Sequence, residues 1–147
     1  MNEGEKDRRL ASLVHMAFLA SIGVYLILIV VARRGGAAPT DPTGRTQTLA
    51  FCLLAIAAGE FSWASWLGRR HLTRGSGDAV SRVRSFFYLR FGAAEAAAIF
   101  GLMLGFLGGG AVAIGLLFAL SAAALLAAAP SPGRWAAALS EAAGRPP

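Results

Sequence analysis

Four stretches of this chain stay apolar for about 20 residues each, the length a helix needs to cross a ~30 Å hydrocarbon layer at ~1.5 Å per residue. They are Leu10 to Val31 ("LASLVHMAFLASIGVYLILIVV"), Thr48 to Leu67 ("TLAFCLLAIAAGEFSWASWL"), Phe86 to Leu107 and Ala111 to Ala129. Charge and proline mark their ends. Arg8, Arg9, Arg33 and Arg34 bracket the first, Arg69, Arg70 and His71 close the second, Arg82 and Arg84 open the third, and Pro130 and Pro132 stop the fourth. The first stretch is too long for a signal-peptide core, and "VARRGG" follows it where a small-residue cleavage site would stand, so it reads as an uncleaved span. The pattern predicts an all-α integral membrane four-helix bundle forming a single domain over residues 1–147. The tail from 130 to 147 is expected to be disordered, with at most one weak turn around Trp135.

Composition agrees. The chain is 56% hydrophobic and 15% charged, too little polar surface for a soluble domain of 147 residues. A net charge of +6 would suit nucleic acid if it covered a solvated face, but the arginines gather between the apolar stretches, as topology-setting charges do. Nucleic acid is therefore not an expected partner; the bilayer is. Lys6, Arg8, Arg9, Arg69, Arg70, Arg74, Arg82, Arg84, Arg134 and Arg145 fall on one side, against Arg33, Arg34 and Arg45 on the other. That bias predicts both termini in the cytoplasm and a multi-pass protein of the cell's inner (plasma) membrane. The basic segment Gly68 to Ser85 reads as a positive-inside loop, or as a site for anionic lipid or a partner. Cys52 is the single cysteine, so no disulfide and no thiolate metal cluster is expected, and it reads as a small buried hydrophobe.

Small residues suggest how the helices pack. Ala94, Ala98, Gly101, Gly105 and Gly108 lie along one stripe of the third span, with "GLMLG" as a GxxxG pair inside it. Ala55, Gly59 and Ser62 make a similar seam on the second. Close backbone approach along such stripes predicts that these two helices are central. Trp63 and Trp66 mark the membrane interface.

Ionisable groups inside a span are costly, roughly 2.5–3.5 kcal/mol each on insertion scales, so each demands a reason. There are four: His15, Glu60, Arg90 and Glu95. Counted from the cytoplasmic ends, they lie about 8, 10, 6 and 14 Å deep respectively. Similar depth predicts a structural polar network in which Glu60 pairs with Arg90 or His15. Glu95 is the deepest, and its own helix offers it no hydrogen-bonding neighbour. Desolvation there favours the neutral carboxyl, which suits either a proton carrier or an idle structural group.

The stretch "AEAAAIFGLMLGFL", Ala94 to Leu107, resembles the carboxylate helix of the rotary ATPase proteolipids, the subunit c family. The resemblance implies that Glu95 binds a proton, that Ala96, Phe100, Gly101 and Leu102 frame it, and that copies associate within a larger membrane assembly. Two readings of function follow. One is a proteolipid-like proton-binding subunit of a proton-conducting or rotary assembly; the other is a non-catalytic four-helix accessory or scaffold protein. An enzyme is not expected, since no HExxH, no serine–histidine pairing at one depth and no phosphate loop is present. Neither a cofactor nor a metal is expected. Ser21, Ser62, Ser65 and Ser121 read as helix–helix hydrogen bonders.

Overall fold

A computed structural model of the chain describes residues 3–36 and 45–144. Five helices run through them: α1 (Glu3–Arg34), α2 (Arg45–Arg74), α3 (Ala79–Phe106), α4 (Ala111–Ala128) and α5 (Pro132–Ala142). The first four are long and apolar enough to cross a membrane. Their outer surface is apolar as well, with Leu13, Met16, Ile27, Phe51 and Val112 all more than half exposed, which in water would be an aggregation surface and in lipid is a solvated one. The chain is a multi-pass, all-α membrane bundle.

Contacts along the helices give their directions. Asp7 meets Arg84 and Ile29 meets Gly105, so α1 and α3 run parallel. Gly68 meets Phe86, and Gly101 meets Phe118, so α2 and α4 run antiparallel to α3. The bundle is therefore up-down-up-down with short connections. At the α3–α4 corner Gly108 takes a left-handed φ of 80°, which a side chain would resist, and the amide of Gly109 donates to Leu104 at 2.8 Å. Arg33 donates to the Gly109 carbonyl from the end of α1.

Helix α3 is the hub, packed against α1, α2, α4 and α5. Its small-residue stripe explains why: Ala94, Ala98, Gly101 and Gly105 are all buried. A Cβ on Gly101 would stand 3.1 Å from the Phe118 ring, and one on Gly105 would stand 2.7 Å from Ile29. The first glycine admits α4 and the second admits α1.

Several expectations are corrected. The seam Ala55, Gly59 and Ser62 on α2 is exposed; α2 instead buries Ala50, Leu53, Ala57, Ala64, Gly68 and Leu72. Small residues line that face too, at Ala50, Ala57, Ala64 and Gly68, but on a different side of the helix from the expected seam. Cys52 is exposed rather than buried, because it lies on the outer side of α2. The basic segment Gly68 to Ser85 is mostly helical, since α2 runs on to Arg74 and α3 starts at Ala79. Charged turns leave the hydrocarbon without leaving the helix. Asp78 starts α3 by accepting from the Ser81 amide at 2.6 Å, and Arg82 donates to the Leu72 carbonyl at 2.9 Å.

The tail is corrected too. Ser131 caps α5 by accepting from the Arg134 amide, Pro132 starts the helix, and Trp135 stacks on Phe87 with centroids 5.4 Å apart and planes 14° apart. Trp135, Ala138 and Ala142 form a buried stripe, so α5 is held by tertiary packing that an alanine-rich segment alone would not provide. Arg145 lies outside the described residues.

Candidate functional site: a buried carboxyl between α1 and α3

Burial of the α3 stripe carries Glu95 into the interior with it, one residue beyond Ala94 and only 7% exposed. The carboxyl meets α1. Its Oε1 lies 2.7 Å from the Ser21 hydroxyl and accepts from the Tyr25 hydroxyl at 2.7 Å. Ser21 and Tyr25 are four residues apart, so they stand one above the other on the same helix face. Farther along α1, His15, Ile22 and Ile29 are buried at seven-residue spacing, which places this side of the helix toward the bundle.

The Ser21 hydroxyl also lies 2.6 Å from the carbonyl of Phe18. One hydroxyl carries one hydrogen, yet it faces two acceptors. Three short oxygen–oxygen contacts therefore surround this site: Tyr25 to Glu95, Ser21 to Glu95 and Ser21 to Phe18. Tyrosine and serine supply two hydrogens between them. A hydrogen on Glu95 Oε1 would complete the set, with the carboxyl donating to Ser21, Ser21 donating to Phe18 and Tyr25 donating to the carboxyl. Glu95 Oε2 is buried and meets no donor among the described residues.

The proposed network of Glu60, Arg90 and His15 is not assembled. His15 is buried beside Phe91 and its Nε2 lies 2.9 Å from the Leu125 carbonyl of α4. Arg90 rests its guanidinium over the rings of Phe61 and Phe86, 5.5 Å from each centroid, and reaches the Ala127 carbonyl at 3.4 Å. Glu60 is exposed, and no ion pair joins it to either among the described residues. Similar depth did not pair these groups: His15 and Arg90 each meet a carbonyl in the last turn of α4, Leu125 and Ala127, while Glu60 faces outward. Glu60 instead borders a groove of ≈ 900 Å³ between α2 and α3, together with Trp63, His71 and Tyr88.

Of the other expected residues, Ala96, Phe100 and Leu102 are partly buried, and Gly101 is buried against α4. Ser21 bonds across helices as expected. Ser62 bonds within its own helix, to Ala58 at 2.9 Å, while the hydroxyls of Ser65 and Ser121 are buried without a partner among the described residues. The part that Ser21 and Tyr25 play was missed. Its signal was a hydroxyl pair four residues apart in an otherwise apolar span. No group of three or more His, Cys, Asp or Glu able to hold a metal comes together among the described residues.

Fold and site together define a polytopic helical membrane protein with an internal, hydrogen-bonded carboxyl. Beyond that class there is no relative to report: no family model, no curated protein and no solved structure matches the chain.

Proposed function

We propose that Glu95, Ser21 and Tyr25 form a proton-exchange site, and that the chain serves as a subunit of a proton-conducting membrane assembly. The observation that carries this reading is the hydrogen count, in which three short contacts share two hydroxyl hydrogens. A carboxyl that completes the set as a donor holds a proton, and one that loses it leaves Ser21 facing two acceptors. Gain or loss of that proton therefore changes how α1 is tied to α3. The likeness of Ala94 to Leu107 to the proteolipid helix supports the same role for Glu95. Because the carboxyl faces α1 rather than lipid, exchange with water requires α1 to shift from α3.

A second reading is favoured by the same contacts. Two hydrogen bonds from α1 to one carboxyl on α3 would also serve a scaffold, by holding the two helices in register.

Infrared spectroscopy of the protein in lipid separates the two. The proposal expects a protonated carboxyl band at neutral pH that disappears in Glu95→Gln and shifts within minutes of transfer to D₂O. A hydrophobic carbodiimide should label the same residue. An ionised Glu95 at neutral pH overturns the proton site, and a protonated band that resists exchange for days leaves the scaffold.

A further inference from the structure

At the basic end of the bundle, where α2 ends and α5 begins, Arg69, Arg90 and Arg134 line one pocket of ≈ 330 Å³. They come from three different helices, α2, α3 and α5. Leu72, Phe86 and Phe87 supply apolar walls. A neighbouring hollow shares Arg69 and Glu141 with this one and adds Arg70 and Arg74. Glu141 is the one acidic residue that lines either, and no arginine pairs with it among the described residues.

Part of this charge has a structural use. Arg134 Nη1 donates to the Leu126 and Ala127 carbonyls at 3.3 and 2.7 Å, and Arg90 Nη2 approaches Ala127, so both satisfy the open C-terminal carbonyls of α4. That occupies one nitrogen of each. A guanidinium presents five N–H groups in a planar fork. Arg90 Nε is buried and has no acceptor among the described residues, and Arg69 makes no ion pair among them. Like charges gathered on one apolar-walled pocket, with donors left over, call for a multidentate anion.

We propose that this pocket binds the phosphate of an anionic phospholipid headgroup. Guanidinium forks match phosphate oxygens two at a time, and basic pockets between membrane helices are where such headgroups sit. Lipid is favoured over a soluble phosphate by what borders the pocket. Trp66, which lines the neighbouring hollow with Arg69, is 50% exposed, and Leu126, whose carbonyl accepts from Arg134, is 62% exposed, so acyl chains have apolar surface near the charge. The site is separate from Glu95 and does not depend on its role.

The test is native mass spectrometry of the full chain released from vesicles of equal phosphatidylglycerol and phosphatidylcholine. At least fivefold preferential retention of phosphatidylglycerol is expected, reduced to near parity in Arg69→Gln/Arg134→Gln. Both arginines are exposed, and glutamine retains a donor for the α4 carbonyls that Arg134 meets, so helix content by circular dichroism should be unchanged, and Arg69→Gln alone should show a partial loss. Lys6→Gln, an exposed cation at the same end of the bundle, should keep the preference. Equal retention of the two lipids by the wild type, or an undiminished preference in the double variant, overturns the proposal. Displacement of the retained lipid by millimolar inorganic phosphate overturns the lipid as the source of the anion.

Discussion

Tyr25 donates its phenolic hydrogen to Glu95, 70 residues away in sequence, at 2.7 Å across the interface between two parallel helices. The same oxygen meets Ser21 at 2.7 Å, the other side-chain hydrogen bond of this carboxyl among the described residues. Tyr25→Phe removes the hydroxyl and keeps the ring. Interhelical hydrogen bonds in membranes average about 0.6 kcal/mol, with a maximum near 1.7, so Tyr25→Phe is expected to lose stability within that range. Glu95→Gln should be tolerated, because an amide nitrogen at the Oε1 position can donate to both Ser21 and Tyr25 while Ser21 donates to Phe18. A double-mutant cycle of Tyr25→Phe with Glu95→Ala, which removes the carboxyl outright, read by unfolding in mixed micelles, should give a nonzero coupling. Additive effects would mean that the contact carries no energy.

Glu60→Gln is expected to leave stability within about 0.5 kcal/mol of wild type, as for other exposed positions without partners. The residue faces outward and makes no ion pair among the described residues. A marked loss in thermal unfolding, rescued by a second change at Arg90, would show that the two meet after all.

Gly105→Ala should destabilise the bundle by about 1–3 kcal/mol, the usual range for overpacking a filled interior. Its Cβ would stand 2.7 and 2.8 Å from two carbons of Ile29, and a β-branched side chain in a helix has few alternative rotamers. The double variant Gly105→Ala/Ile29→Val should recover part of the loss. Gly59→Ala is the control: nothing lies within 4 Å of its added carbon, and thermal unfolding should be unaffected.

Trp135→Ala should release α5 while leaving the four long helices in place. The indole is 3% exposed and stacked on Phe87, and it is the only large residue on the buried stripe of that helix. Truncating a buried aromatic costs about 3–5 kcal/mol in a packed core, more than an 11-residue helix gains from its own backbone. Limited proteolysis should cut after Arg134 in the variant and spare the wild type. Equal resistance in both would mean that α5 is held by other contacts, such as the Arg82 bond to the Ala142 carbonyl at 2.7 Å.

The four spans, their approximate ends and the burial of the Ala94–Gly105 stripe were legible in the residues themselves. Length and apolarity decide whether a segment crosses hydrocarbon, since every backbone group must be satisfied within the helix, and small side chains decide where backbones approach. Which helix meets which polar group was not legible. Depth along a span follows from counting residues, but rotation about the helix axis and the identity of the facing neighbour depend on how all four helices pack. Glu60, Arg90 and His15 share a depth and still part company, whereas Glu95 finds two hydroxyls on a helix far away in sequence. The α5 helix is the same case at the surface: Ser131 and Pro132 announce a helix start, but only the Phe87 ring on α3 gives Trp135 somewhere to be buried. A charge or hydroxyl in hydrocarbon needs a partner, and that need is written in the sequence; the partner itself is chosen by tertiary packing.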